Sequence, residues 1–300
     1  MPDTKKLKVF KCIELFNVKE ITNHKYRKII LQPFHIIHIM KDLRYMKKLT
    51  LATIITTTFF AQQCIAQQGD SKDTEIWQPI PKVITTGTTN SAPSDAIILF
   101  DGKNLNEWVA VDDTSKPATW VVSKGAFTVN KTGGNIKTKR LFTDYQLHLE
   151  WKIPANITGE GQGRGNSGLF LASTGPGDDG YEMQILDCYK NATYVNGQTA
   201  SVYKQSIPLA NACKKPGQWQ TYDVIWTAPR FNEDGSLKVP AHLTAMHNGV
   251  LVQNNVELKG GTAYIGKPSY KAHGPAAIKL QAHGDKSEPI SFRNIWVREL

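Results

Sequence analysis

From residue 96 onward, the chain consists of short runs in which apolar and polar residues alternate, separated by Gly, Pro and Asn. A period of two places successive side chains on opposite faces of a strand, so the pattern predicts β-structure. The predicted strands cover residues 97–100, 119–123, 126–129, 145–153, 168–172, 181–186, 221–227, 241–247, 250–252, 277–281 and 290–299. No segment in this region has a helical period of useful length. Many short strands without intervening helices predict an all-β fold, an antiparallel sandwich of the jelly-roll type.

The segment 145–153 shows the alternation most clearly. Its odd-numbered residues from Tyr145 to Trp151 are apolar and should face the core. His148 and Glu150 fall on the other face, which we expect to be an exposed outer surface. Four tryptophans lie within predicted strands and are expected in the core: Trp120, Trp151, Trp226 and Trp296.

Two tight reversals are also visible in the sequence. Asn248-Gly249 separates two runs and predicts a type I′ hairpin turn, because both residues tolerate a positive φ. The segment 123–125, which ends in Gly125, suggests a second reversal. His247, next to the first turn, is expected to face solvent.

The charge of the chain is concentrated at its beginning. The formal net charge is +10, but residues 1–48 hold 12 of the 36 basic and 4 of the 26 acidic residues, so the remainder carries only +2. A nucleic-acid-binding protein should carry its basic surface on the folded domain. The distribution therefore argues against nucleic acid as a partner.

Residues 46–66 have the basic, apolar and small-residue regions of a secretory signal peptide, with cleavage expected before Gln67. The apolar run is rich in Thr and shorter than the ~20 residues of a membrane span. A transmembrane anchor and lipidation at Cys64 are the alternatives. Residues 1–45 then resemble an upstream extension from a wrongly assigned start, residues 67–95 a linker or arm, and residues 96–300 the domain. We expect export to the periplasm or the extracellular space, without stable membrane insertion.

Two of the four cysteines, Cys188 and Cys213, lie in the predicted domain. In an oxidising compartment this pair can close a disulfide loop, which the chain-entropy model values at roughly 3 kcal/mol. The alternative is two free thiols. Neither cysteine has a second Cys or a His pair at a metal-ligand spacing, so no metal site is predicted from them.

The segment from Gly180 to Asp187 presents polar residues inside a predicted strand. Glu182 and Gln184 should share one face, about 7 Å apart along the strand. A bulge near Leu186 could bring Asp187 onto the same face. Such a face either borders a polar cleft or is simply solvated.

Several motif-like segments follow one another along the predicted domain: Leu99-Phe100-Asp101-Gly102-Lys103, Gly165-Asn166-Ser167-Gly168, Tyr181-Glu182-Met183-Gln184-Ile185-Leu186-Asp187, Trp219-Gln220-Thr221-Tyr222-Asp223, His247-Asn248-Gly249, Leu280-Gln281-Ala282-His283-Gly284 and Phe292-Arg293-Asn294-Ile295-Trp296. In this order they resemble the 3-keto-disaccharide hydrolase-like family, whose members are also described as 3-keto-glucoside-1,2-lyase/3-keto-2-hydroxy-glucal hydratase domains. The resemblance covers about residues 96–300. It implies a concanavalin A-like jelly-roll sandwich and activity on oxidised sugars.

Cleavage of a 3-keto-glycoside by elimination and hydration needs a base for the C2 proton, a donor for the enolate oxygen and an acid for the leaving group. His283 is the preferred base or acid, because its ordinary pKa of ~6.5 permits proton exchange near neutral pH. Glu182 or Asp187 is the alternative base, or a ligand beside His283 for a divalent cation; no other cofactor is expected. Arg164 is expected to stabilise the enolate or to bind the sugar. The other predicted substrate-binding residues are Asn166, Gln184, Gln281 and, in a loop that could close over the cleft, Tyr203 and Lys204.

Two other functions remain open at the level of sequence. A carbohydrate-binding module would use the same cleft without chemistry. A laminarinase-type glycosidase would need the strand pattern Glu-x-Asp-x-x-Glu, but this chain has Gln184 and Asp187 at the second and third positions. The expected partners of the lyase are a glycoside or oligosaccharide substrate and an oxidoreductase that introduces the ketone.

Overall fold

Short strands make up most of the regular structure in the computed structural model, which describes residues 69–87 and 91–300. The chain divides into two units, Met1–Ile80 and Pro81–Leu300. In the first unit, the described part contains one 3₁₀ helix, Ser71–Thr74, which Asp70 caps. The predicted upstream extension and signal peptide lie outside the described residues. Within the described residues, no helix is long and apolar enough to cross a membrane.

The second unit is all-β. Its described residues form the strands β1 Ile97–Phe100, β2 Trp108–Ala110, β3 Val121–Ser123, β4 Ala126–Thr128, β5 Ile136–Thr138, β6 Tyr145–Lys152, β7 Ser167–Ser173, β8 Gly180–Ile185, β9 Trp219–Thr227, β10 Arg230–Phe231, β11 Leu237–Val239, β12 His242–His247, β13 Val250–Glu257, β14 Ala277–Leu280 and β15 Ser291–Glu299. Short 3₁₀ helices cover Lys131–Gly133, Gly161–Gly163 and Val195–Gly197. Every predicted strand is present, and the unpredicted ones (β2, β5, β10 and β11) have three residues or fewer.

The strands form two large antiparallel sheets. The larger sheet has the order β13-β12-β9-β6-β15-β4-β3, with β1 also paired to β15, and the smaller sheet has the order β2-β5-β14-β7-β8. Apolar side chains from both sheets form one core. The predicted all-β sandwich of two antiparallel sheets is confirmed.

Two buried tyrosines join the sheets through their hydroxyl groups. Tyr145 on β6 donates to the Leu171 carbonyl on β7 at 2.6 Å, and Tyr222 on β9 donates to the Gln184 carbonyl on β8 at 2.7 Å. A buried hydroxyl that lacks such a partner would be costly, so these bonds fix which residues of the two sheets face each other. The second bond holds β8 in place from the core side.

The predicted turns are confirmed by the backbone. Asn248 and Gly249 have φ values of 53° and 79°, and the hairpin joins β12 to β13. Lys124 and Gly125 adopt φ values of 50° and 76° between β3 and β4. Positive φ at both central positions is what a type I′ turn requires.

The environments of His247 and Trp296 differ from those expected from the sequence. His247 is 1% exposed and hydrogen-bonds Gln220 rather than facing solvent. Trp296 is buried, but it stacks on His148 at the outer face of the larger sheet, with ring centroids 5.3 Å apart, instead of entering the core. A register shift in β15 before Trp296 reverses the alternation at that point.

The outer face of the larger sheet carries a network of ion pairs between neighbouring strands. His148 Nδ1 lies 2.7 Å from Asp223 Oδ1, and Arg293 Nε lies 2.7 Å from Glu150 Oε2. Burial alone would lower the pKa of His148, but Asp223 and Glu150 outweigh it and raise the pKa to about 9. Instead of lying fully exposed, as expected, His148 and Glu150 are largely covered, with side chains 13% and 6% exposed.

This network predicts a pH dependence of stability. The pKa of His148 is raised in the folded chain, so its stabilisation is complete below about pH 6.5. It is lost as the pH rises through about 9. We expect the free energy of unfolding to fall by about 1–3 kcal/mol across this range, with a flatter profile in His148→Gln. Urea titrations at several pH values would measure this, and equal slopes in both proteins would contradict it.

Candidate active site

A polar cleft lies on the face of the smaller sheet that points away from the core. Its volume is about 700 Å³. Its lining combines acids, amides, tyrosines and one histidine: Gln162, Gly163, Asn166, Asp178, Asp179, Glu182, Gln184, Tyr194, Tyr203, Thr262, Tyr264, Gln281 and His283. Six of the residues that the sequence predicts for the site therefore share one cleft.

Strand register explains why these side chains meet. On β8, Met183 and Ile185 enter the core, so alternation directs Glu182 and Gln184 into the cleft. Glu182 is paired with Phe170 and Gln184 with Gly168 on β7. On the other side of β7, Lys279 of β14 is paired with Phe170. The backbone N–H of Gln281 donates to the Gly168 carbonyl at 3.0 Å. The floor of the cleft therefore contains two rows of residues that run across the strands. The first row is Glu182, Phe170 and Lys279, and the second row is Gln184, Gly168 and Gln281.

Gly168 lies at the centre of the second row, where a side chain would displace the Glu182 carboxyl group. A Cβ at this position would lie 2.6 Å from Glu182 Oε1 and 3.0 Å from the Phe170 ring. The Glu182 carboxyl group therefore leans over Gly168, toward the row that Gln184 and Gln281 flank. The glycine is required by this close approach and not by its backbone angle.

Glu182 is 5% exposed, and no side chain among the described residues hydrogen-bonds its carboxyl group. Burial raises its pKa to about 8, with a further contribution from Asp178, while Lys279 acts in the opposite direction. The group is therefore mostly protonated near neutral pH, and it can donate a proton and take one back.

Lys279 is fully buried at the end of the first row. Its Nζ donates to the Gly177 and Asp179 carbonyls, both at 2.8 Å, and lies 4.0 Å from the centroid of the Phe170 ring. Burial lowers its pKa to about 8, although Asp178, Asp179 and Glu182 oppose this shift. These contacts fix the turn that brings Asp178 and Asp179 to the cleft.

His283 lies on the β14 side of the cleft and is held by Asp285. Its Nδ1 is 2.9 Å from Asp285 Oδ2. Burial alone would raise the pKa of Asp285, but hydrogen bonds from His283, Ser287 and Lys131 outweigh it and hold the carboxyl group ionised, with its pKa well below the usual range. The Asp285 backbone N–H also approaches Nδ1, at 3.3 Å, so Nε2 is the ring nitrogen without a hydrogen-bond partner among the described residues.

Three amides present buried carbonyl oxygens that no described group satisfies: Asn166 Oδ1, Gln184 Oε1 and Gln281 Oε1. We call them the amide triad. Gln162 orients two of them, because its carbonyl accepts from Asn166 Nδ2 at 2.9 Å and its Oε1 accepts from Gln184 Nε2 at 3.1 Å. Buried acceptors without partners are costly in an isolated protein, so they indicate a ligand that donates hydrogen bonds.

A loop closed by a disulfide between Cys188 and Cys213 forms the wall beyond β8. Within it, the Tyr203 amide donates to the Glu182 carbonyl at 3.1 Å, which places Tyr203 beside Glu182 at the edge of the sheet. The hydroxyl groups of Tyr203 and Tyr194 are 2.5 Å apart, and Lys204 Nζ lies 4.2 Å from the centroid of the Tyr264 ring.

Arg164 and Asp187 do not line the cleft. Asp187 is fully buried, and its Oδ2 lies 2.7 Å from Arg164 Nε. Strand β8 ends at Ile185, and the Asp187 amide then donates to the Arg164 carbonyl, so the expected bulge does not bring this carboxylate to the cleft. Arg164 and Asp187 thus form an ion pair beside the cleft. This corrects the expectation that Asp187 acts as a base and that Arg164 stabilises the enolate or binds the sugar.

The predicted cation is not supported by a cluster of strong ligands. Among residues 69–87 and 91–300, no group of three or more His, Cys, Asp or Glu side chains is arranged to hold a metal. A cation here would depend on Glu182 together with neutral amide oxygens, so it stays a prediction.

Several lining residues are absent from the sequence-based set: Gln162, Asp178, Asp179, Tyr194, Thr262, Tyr264 and, behind His283, Asp285. Asp285 had a usable signal, because a carboxylate two residues after a turn histidine can reach its ring. Gln162 and Tyr194 had none, since they come from irregular loops whose approach to β8 has no sequence period.

Comparison with known proteins gives the family. A family model described as the 3-keto-alpha-glucoside-1,2-lyase-like domain matches residues 95–298. Among solved structures, the chain is similar to a candidate glycosyl hydrolase from Parabacteroides distasonis ATCC 8503, with 54% identity, coverage of 77% of this chain and 96% of that chain, and a TM-score of 0.71.

A second candidate glycosyl hydrolase from the same organism shares 21% identity over 68% of this chain and 99% of its own, with a TM-score of 0.48. No curated protein matches the chain. The family and the 54% identical relative support a carbohydrate-active, glycosyl-hydrolase-like enzyme. The chain belongs to the family of 3-keto-alpha-glucoside-1,2-lyase-like domains.

Proposed function

We propose that the protein is an exported enzyme that cleaves 3-keto-glycosides by elimination across C1–C2, followed by hydration of the resulting 3-keto-2-hydroxy-glucal. The observation that carries this proposal is that the buried Glu182 shares one cleft with the His283–Asp285 pair. One group can give a proton while the other takes one, which elimination requires.

In the first step, His283 Nε2 removes the proton on C2, which the neighbouring ketone acidifies. The electron pair forms an enolate, and its collapse breaks the C1–O bond while Glu182 donates its proton to the leaving oxygen. In the second step, the Glu182 carboxylate takes a proton from water, the hydroxide adds to C1, and His283 returns a proton to C2. Both groups end in their starting states.

The cleft is wide enough for a sugar ring between these two groups. His283 follows β14 and Glu182 lies on β8, with β7 between them, so the strands are about 10 Å apart. The amide triad would accept hydrogen bonds from ring hydroxyl groups, which supplies the orientation that the proton transfers need. The ketone at C3 must be introduced earlier, by an oxidoreductase.

Export rests on the segment 46–66 and on the disulfide Cys188–Cys213, a bond typical of oxidising compartments. A periplasmic or extracellular location is therefore part of the proposal.

A carbohydrate-binding module is the second candidate. The amide triad favours it, because unsatisfied acceptors bind sugar hydroxyl groups equally well without chemistry. A conventional retaining glycosidase is less suited, since Gln184 is neutral and Asp187 is paired with Arg164.

The direct test is incubation of the full chain with nitrophenyl 3-keto-glucosides of both anomers and with their unoxidised parents. We expect nitrophenol release and a transient enone absorbance from one keto anomer only, and loss of both signals in His283→Asn with unchanged thermal unfolding. Cleavage of the unoxidised parent at an equal rate would indicate a glycosidase. Binding by calorimetry without any turnover would indicate a binding module.

The role of Glu182 predicts a dependence on the leaving group. In Glu182→Gln, the rate of cleavage of an alkyl 3-keto-glucoside should fall about 100-fold or more, because general acid catalysis typically accelerates a reaction by about this factor. The rate of cleavage of the nitrophenyl substrate should fall much less, since nitrophenolate can leave without taking up a proton. Glu160→Gln, an exposed change outside the cleft, is the matched control. Equal losses on both substrates would contradict proton donation by Glu182.

The contact between Gly168 and Glu182 predicts a steric effect. Gly168→Ala should displace the carboxyl group, because the new Cβ would lie 2.6 Å from Glu182 Oε1. We expect kcat to fall at least about tenfold with little change in thermal unfolding. Gly163→Ala is the control, since it lines the same cleft and its Cβ would meet nothing within 4 Å. Equal activity of the two variants would refute the steric argument.

A further inference from the structure

The hydrogen-bonding polarity of the cleft restricts where a ketone can bind. The amide triad offers three oxygens that accept hydrogen bonds, and Gln162 fixes the orientation of Asn166 and Gln184. A ketone oxygen also only accepts, so it cannot satisfy these groups. Ring hydroxyl groups therefore suit the oxygens of the amide triad, whereas the ketone needs a donor such as a hydroxyl group of the cleft lining.

The Tyr194 and Tyr203 hydroxyl groups, which we call the tyrosine pair, provide that donor. With the two oxygens 2.5 Å apart, one hydroxyl donates to the other, and the second proton remains available. Tyr203 is 8% exposed and follows Val202, which enters the core, so its ring lies on the cleft side beside Glu182. Tyr194 is 41% exposed. Both tyrosines line the cleft, and Tyr203 is the one held beside Glu182 by the backbone.

A phenol suits an oxygen that gains negative charge. Tyr203 lies beside Glu182 in the cleft lining, so its hydroxyl group can donate a hydrogen bond that strengthens as charge develops on the enolate oxygen. Burial raises the pKa of Tyr203, so the group stays protonated and acts as a donor across the working pH range.

We propose that the tyrosine pair is the enolate-binding site: Tyr203 donates a hydrogen bond to the C3 oxygen of the substrate, and Tyr194 donates to Tyr203. No proton is transferred in this interaction; the hydrogen bond stabilises the charge that moves onto the C3 oxygen when His283 takes the C2 proton. The inference rests on the proposed function and assigns to these residues the role that the sequence suggested for Arg164.

The local structure supports such a placement of Tyr194. A Cβ on Gly197 would overlap the Tyr194 ring, so this glycine lets the ring lie against the backbone of the loop. The Gly197 carbonyl also accepts from Gln162 Nε2 at 2.8 Å and from Gln184 Nε2 at 3.3 Å. The same turn therefore positions the tyrosine pair and the amide triad.

The test compares Tyr203→Phe, Tyr194→Phe and, as a matched control outside the cleft lining, Tyr189→Phe with the wild type. Two quantities are measured on a 3-keto-glucoside: kcat and KM for cleavage, and the rate of deuterium exchange at C2 in heavy water. We expect Tyr203→Phe to lower kcat and C2 exchange together by about 100-fold, with KM changed by less than about threefold. Tyr194→Phe should lower both by about tenfold, and Tyr189→Phe should change neither.

The outcomes separate the two proposals. If the wild type cleaves the keto substrate and both cleft variants keep their exchange rate within about threefold, the tyrosine pair is not the enolate site, and the proposed function stands. If the variants show a higher KM or a lower thermal stability while the exchange rate per bound substrate is unchanged, the role of the pair is structural and this inference is overturned. If the wild type shows neither cleavage nor C2 exchange, the proposed function fails and the enolate site with it.

Discussion

A buried carboxyl group that no described side chain hydrogen-bonds is the constraint around which the cleft is organised. Glu182 leans over Gly168 because no side chain occupies that position, and burial there raises its pKa to about 8. A fully ionised carboxylate at this depth would be destabilising without a partner. The surroundings hold the group near the point where it gains or loses a proton, and Lys279 limits how far its pKa rises.

This arrangement needs a floor that does not move, and the core supplies it. Tyr222 bonds the Gln184 carbonyl from the larger sheet, so the strand that carries Glu182 is fixed from behind. On the open side, the Cys188–Cys213 disulfide restricts the loop that carries the tyrosine pair. In the chain-entropy model a loop of this size contributes roughly 3 kcal/mol. One side of the cleft is thus a sheet held in place by the core, and the other side is a loop whose movement the disulfide restricts.

The sequence predicted the fold and part of the site for identifiable reasons. Alternation with a period of two directs Glu182 and Gln184 to one face of the strand. It requires only that the strand be unbroken, and β8 is unbroken as far as Ile185. The prediction failed where that regularity ends. A register shift in β15 turns Trp296 outward, and the end of β8 leaves Asp187 to pair with Arg164. Gln162 and Tyr194 reach the cleft through irregular loops, whose paths depend on long-range contacts that alternation does not encode.

The sign of the charge in the transition state decides which chemistry such a cleft favours. A conventional glycosidase develops positive charge at C1 and relies on a nearby carboxylate. A Glu182 that is largely neutral at pH 7 gives little such stabilisation, and Asp187 is already neutralised by Arg164. Elimination develops negative charge on an oxygen instead, which donors stabilise. A protonated carboxyl group and a tyrosine pair are both donors of the kind that the elimination we propose requires.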